Sequence, residues 1–306
     1  MEDPVMKHLV LLLLSLSLCS WTAAQEPPVN RIPVDDATFA QYAEQYEYDH
    51  PLPLHAKVLD TRIYNGRELP YAVDKVNFRS VHDAVVTGFF AHPRDSTSTR
   101  YPAVILLHGD NHSQGTNHIW GNSWVDILGK EKICALAIDA YGYGERMGPE
   151  QNTDKGQYEW RDVTTQQVID TRRAIDYLYS RPEVDTTRIA LMGESMGGMI
   201  GIRVAGLEKR FAAVVLIVMG SEVWEGGTDD KFWGFSHTLN FAPRISAPVL
   251  MVNATQDQYF SRQSSEDVFA LLRDNPKQQV WQECEHVILV EDQKKIILPW
   301  LKKYHR

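Results

Sequence analysis

From residue 73 onward the chain alternates between two apolar patterns. Predominantly apolar runs at 103–107, 133–138, 188–192, 212–218 and 248–252 are what strands buried on both faces of a parallel sheet require. Two more polar runs, at 75–79 and 84–90, flank a turn at His82-Asp83 and predict an antiparallel pair. A final run at 278–282 is the most polar and suits a sheet edge. Between these runs the apolar spacing changes to that of helices. The longest such stretch is 160–179, where Val163, Val168, Ile169, Ala174, Ile175 and Leu178 fall near one face. Residues 196–207, 261–273 and 291–303 follow the same rule. Alternating strands and helices define an α/β class with a mostly parallel eight-stranded sheet flanked by helices.

The amino-terminal quarter breaks this rhythm. Lys7-His8 precede the apolar run Leu9–Leu14, and small residues close the stretch at Ala23-Ala24. A basic start, a short apolar core and small residues at the end predict a secretory signal over 1–24 and an exported protein. The apolar run is too short for a membrane span, so no stable span is expected once the signal is removed. Residues 25–69 read as a polar, Pro-containing amino-terminal extension with one short helix near 36–46, and 70–306 as a single domain.

Composition narrows the classes further. The chain has 306 residues, 43% of them hydrophobic, and a formal net charge of −9. An acidic chain without a basic cluster is a poor nucleic-acid binder. Cys19 leaves with the signal. Cys134 and Cys284 are too few for a disulfide scaffold or a metal site, and they are expected to lie too far apart to pair.

Candidate chemistry centres on Ser195. Gly193-Glu194-Ser195-Met196-Gly197 follows the apolar run 188–192 and opens a helical stretch. Such a strand-to-helix turn lifts a serine hydroxyl clear of the backbone and aims the free amides of the helix start at a developing oxyanion. A serine hydroxyl needs a base, and the base an orienting acid. Asp257 follows the strand at 248–252, and His286 follows the last strand. Asp229, Asp230, Glu283 and Glu285 are competing acids. His108-Gly109-Asp110 follows the strand at 103–107. Amides of Met196 and of a residue near Asp110 are candidates for an oxyanion hole, with His108 as a structural hydrogen-bonder. Trp120, Trp124, Trp224, Phe232, Trp233 and Phe235 supply an aromatic set from which a substrate pocket is drawn, with Trp120, Trp224 and Trp233 as its lining.

With these motifs in this order, the chain resembles the α/β-hydrolase superfamily from about Val73 onward, and most of all its dienelactone-hydrolase-like esterases. Tyr143-Gly144-Glu145-Arg146, the helix carrying Arg172-Arg173-Ala174-Ile175-Asp176, and Arg181-Pro182-Glu183-Val184-Asp185 carry that resemblance. Dienelactone hydrolases proper use cysteine as nucleophile. Ser195 therefore points to ordinary carboxylic esters. The resemblance implies a small-molecule ester substrate, a Ser195–His286–Asp257 triad, an acyl-enzyme, and neither cofactor nor metal. The same constellation would serve a peptidase or an acyltransferase, or survive in a non-catalytic binding protein.

Overall fold

The computed structural model describes residues 30–62, 69–94, 99–110, 123–147, 156–221 and 226–305. The signal segment at 1–24, Trp120 and Trp224 lie outside the described residues. Nine strands form one sheet: β1 Lys57–Arg62, β2 Tyr71–Arg79, β3 Val85–Pro93, β4 Tyr101–Leu107, β5 Cys134–Ile138, β6 Val184–Glu194, β7 Ala213–Ile217, β8 Val249–Ala254 and β9 Lys277–Gln282. Their order is β1-β2-β3-β5-β4-β6-β7-β8-β9. β1 to β3 form an antiparallel meander, and β3 joins β5 antiparallel. All pairings from β5 through β4 to β9 are parallel.

The sequence predicts eight strands, and the ninth is β1. It is an edge strand with a register shift between Val58 and Asp60, and Val58 and Leu59 are about half exposed. Its residues 57–61 are all exposed, so it lacks the apolar run that marks β4, β5, β7 and β8, which are buried throughout except Pro102 in β4. At the opposite edge β9, Lys-Gln-Gln-Val-Trp-Gln, has no fully buried residue.

The longer helices are α1 Asp36–Ala43, α2 Trp124–Lys130, α3 Gln157–Tyr179, α4 Met196–Leu207, α6 Arg262–Leu271 and α7 Val290–Tyr304, with the short α5 Thr238–Phe241 between α4 and α6. They divide the core in two. One cluster joins α3 and α4 to inward residues such as Ile105, Leu136, Leu191 and Leu216. The other joins α2 and α7 to Val104, Ala135, Ala190 and Val215 on the opposite face. The alternation along each strand sends neighbouring residues to opposite clusters. Tyr46, from the segment read as an extension, is fully buried in the first cluster. Among the described residues no helix is long and apolar enough to cross a membrane. Cys134 and Cys284 are both free thiols.

Strand register positions the site. Leu107 pairs with Gly193, Glu194 with Ile217, Ile217 with Val252, and Ala254 with Gln282. The carboxyl ends of β4, β6, β8 and β9 therefore reach one edge together. In open α/β sheets that edge is where ligands bind.

Candidate active site

β6 ends at Glu194, and α4 begins at Met196. Ser195 between them has φ 53° and ψ −116°, a conformation L-residues rarely adopt. Such strain costs on the order of 1–3 kcal/mol and persists only where the surroundings enforce it. Here the Ser195 amide donates to the Ile217 carbonyl at 2.9 Å, and its carbonyl accepts from the Met199 amide at 3.0 Å. The flanking glycines remove the collisions. A Cβ at Gly193 would overlap the Gly197 carbonyl, and one at Gly197 would overlap the Leu107 carbonyl. No residue with a side chain fits either position without moving backbone.

Ser195, His286 and Asp257 come together although they are far apart in sequence. Ser195 Oγ lies 2.9 Å from His286 Nε2. His286 Nδ1 lies 2.8 Å from Asp257 Oδ2. The other carboxylate oxygen of Asp257 accepts from the amides of Tyr259 (2.8 Å) and Phe260 (3.0 Å), so both oxygens of this carboxylate are engaged as acceptors. Its side chain is 3% exposed and that of His286 14%. Two backbone bonds stitch the supporting loops, from the Thr255 amide to the Gln282 carbonyl and from the Gln256 amide to the Cys284 carbonyl. Tyr259 packs edge-on against the imidazole and Phe260 stacks on it. The ring is held by contacts on several sides. Of the competing acids, Asp230 accepts instead from the amides of Phe232 and Trp233, at 2.8 and 2.7 Å, and so shapes a turn.

Met196 and Asp110 both line the cavity above Ser195. The amides at the start of α4 have no acceptor within the helix and point toward the serine. Gly109 passes beside the Ser195 side chain, where even a Cβ would make only van der Waals contact. The Asp110 carboxylate is hydrogen-bonded to the Tyr143 hydroxyl, and burial together with that carboxylate pushes the Tyr143 phenol well above its usual range. Both nitrogens of His108 serve the turns: Nδ1 bonds the Gly109 carbonyl (2.7 Å), and Nε2 accepts from the Ala140 amide (3.1 Å).

The cavity has a volume of about 900 Å³. Its walls bring in residues the sequence patterns do not mark. Trp160, Thr164 and Gln167 come from α3, Met199, Ile200 and Arg203 from α4, and Gln258 from the loop after β8. Each looks like an ordinary helix or loop residue in sequence, and only tertiary packing gathers them. Glu194 also lines the cavity, and its place inside the Gly-x-Ser-x-Gly turn was a usable signal. Of the aromatic set, Trp233 lines the cavity. Trp124 does not. It is buried in α2 on the other face of the sheet, where Nε1 donates to Gln293 Oε1 at 2.7 Å. Phe235 stacks on Tyr46 inside the core.

Residues 104–296 match the alpha/beta hydrolase family, more than half of the chain, and the protein belongs to that family. The protein YfhR of Salmonella typhi is 26% identical over 248 residues, which cover 72% of this chain and 76% of YfhR. The acetyl esterase Axe7A of Xylanibacter ruminicola is 28% identical over 151 residues, 43% of this chain and 34% of that protein. The acetyl xylan esterase from Paenibacillus sp. R4 has a similar structure, with a TM-score of 0.70 at 19% identity over 90% of this chain and 96% of that one. The fold is thus of the esterase and dienelactone-hydrolase-like kind.

Proposed function

We propose that this protein is an exported serine esterase in which Ser195 is the nucleophile, His286 the general base and Asp257 the orienting acid. The observation that carries the reading is the continuous Asp257–His286–Ser195 connection at 2.8 and 2.9 Å, ending on a serine held at φ 53°. His286 Nε2 takes the Ser195 proton as Oγ attacks the ester carbonyl. Asp257 holds the Nδ1–H tautomer and stabilises the imidazolium that forms. Amides at the start of α4 and near Asp110 receive the oxyanion. The protonated imidazole then gives its proton to the leaving alcohol. Water, activated by the same nitrogen, releases the acid from the acyl-enzyme.

The likeness to Axe7A and to the Paenibacillus acetyl xylan esterase supports acetyl esters as the first substrates to test. The decisive experiment combines labelling by a serine-directed fluorophosphonate with aryl acetate hydrolysis. Wild-type protein should be labelled and active, and Ser195→Ala should be neither. Retained turnover in the variant would sink the reading. Export is tested separately, by recovery of a protein starting near residue 25 outside the cytoplasm.

A further inference from the structure

We propose that Glu194 and Asp110 make the cavity discriminate against esters that carry negative charge, so that its substrates are neutral or cationic esters. This rests on the esterase reading of the same cavity. Both residues line the cavity on either side of Ser195, one directly before it and the other beyond Gly109. Neighbouring carboxylates are committed elsewhere. Asp257 is taken by His286 and two amides, and Asp139 by the Thr87 hydroxyl and the Glu145 amide. The Glu194 side chain forms no hydrogen bond or ion pair with the described residues, so its charge is left for whatever enters.

The remaining titratable groups lining the cavity are Tyr143, Arg203, Tyr259 and His286. Arg203 is its one permanent cation among the described residues. Its backbone lies eight residues beyond Ser195 on α4, roughly 12 Å along the helix, and its side chain reaches back toward the serine end. Its guanidinium donates to the Ser236 carbonyl at 2.6 Å and the Met199 carbonyl at 3.2 Å, which occupies it about one helical turn beyond Ser195. The carboxylates therefore dominate the field where the ester carbonyl must sit, and low-dielectric walls strengthen that field. Glu194 also has a use in the reaction, because its charge favours the imidazolium that forms on His286. Burial holds the Glu194 carboxyl above its ordinary range, with the positive form of His286 opposing. The discrimination should therefore grow as pH rises through the titration of Glu194.

The test uses three aryl acetates that differ in one ring substituent: none, a sulfonate, or a trimethylammonium group. Their charges do not change with pH. Wild-type kcat/KM for the sulfonate should lie about tenfold below that for the neutral ester, the size expected for one like charge across a partly desolvated cavity. The gap should widen as pH rises above the ordinary carboxylate range. In Glu194→Gln it should shrink several-fold, mainly through KM, and lose its pH dependence. Asp110→Asn should shrink it less. An equal gap in wild type and in folded Glu194→Gln would overturn the inference, as would wild-type protein that hydrolyses the neutral ester without charge preference. The wild-type series needs no variant to fold. Neutral-ester turnover that survives Ser195→Ala would be the distinct failure of the esterase reading.

Discussion

Two charged regions of this molecule use the same side-chain types to opposite ends. At the carboxyl edge of the sheet, Asp257 and His286 lead to a serine hydroxyl that faces a cavity. Beneath α3 and the end of α4, Glu208 accepts from Arg172 (2.8 Å) and Arg210 (2.6 Å), while Asp176 accepts from Arg210 (2.7 Å), Arg173 (2.9 Å) and the Tyr48 hydroxyl (2.9 Å). Arg172 and Arg173 also donate to the Tyr46 and Leu52 carbonyls, tying the amino-terminal segment to α3. In this second region each carboxylate is matched by cations, although Arg173 Nε and Arg210 Nη2 are buried without a hydrogen-bond partner among the described residues. The first region ends in groups that can still change partner or protonation state. Saturated charge builds structure, and unsaturated charge facing a cavity builds reactivity.

The largest expected effect tests that division at the cavity. Ser195→Ala should lower kcat/KM for an acetyl ester by at least about 10³-fold, as loss of a serine nucleophile does. Its melting temperature should not fall, because the Oγ makes its one described bond to His286. A fall of several degrees would mean that this edge also holds the fold together.

At the network the order of effects should reverse. Glu208→Leu takes the close carboxylate from the buried Arg172 guanidinium and leaves the partly buried Arg210 with Asp176 alone. Breaking one side of such a pair costs roughly 3–5 kcal/mol. Unfolding in urea should show that loss, while kcat per folded molecule stays near wild type. Burial outweighed by hydrogen bonds from Arg210 and Arg172 holds the Glu208 carboxyl below its ordinary range. A depressed carboxylate stabilises the fold above its unfolded pKa, and that stability is lost as pH falls through the folded value. Glu208→Leu should therefore also blunt acid unfolding below the ordinary carboxylate range.

These two regions were not equally legible in the sequence. The cavity edge was, because Ser195 and Asp257 each follow a strand whose apolar run is unmistakable, and His286 falls between the polar edge strand and the last helix. The network was not. Arg172, Arg173, Asp176 and Glu208 sit on helices where charged residues usually face solvent, and nothing local says that Tyr46 and Leu52 will fold over them. The same blindness hid β1, whose exposed residues leave a mixed sequence. It also left Trp124 in the aromatic set from which the pocket was drawn, although the chain carries that residue to the opposite face of the sheet. Long-range packing decided each of these.

A histidine at the far end of the sheet sharpens the contrast at intermediate scale. His305 is 3% exposed, and its Nε2 bonds the Ala103 carbonyl at 2.9 Å. Burial, opposed by that hydrogen bond, lowers its pKa from 6.5 to about 4. Between those values the unfolded chain binds a proton that the folded chain refuses, so stability falls as pH drops from 6.5 toward 4. The shift corresponds to about 3 kcal/mol at pH 4. His305→Gln keeps a donor for Ala103 without a titrating base. Its stability should change less over that window, measured by urea unfolding at stepped pH. Parallel pH curves for the two proteins would remove His305 as the cause.

The smallest expected effect lies where the two kinds of region meet, in the wall that is both packing and pocket. Trp233 lines the cavity, stacks edge-on with Phe232 at 4.8 Å, and is positioned by the Asp230 carboxylate. If its ring serves mainly as a wall, Trp233→Ala should alter the preference between acetyl and longer or aromatic acyl esters. A change of about tenfold or less in the kcat/KM ratio is the scale of one lost apolar surface in a pocket. Acetyl turnover itself should change little, because the reacting atoms are held by Ser195 and His286. If the ring serves mainly as packing, the melting temperature should drop while the acyl profile stays as it was. Trp233 touches the aromatic cluster on one side and empty volume on the other, so the two outcomes separate cleanly. A shifted profile with a small stability change places Trp233 with the cavity edge, and the reverse places it with the saturated, structural part of the molecule.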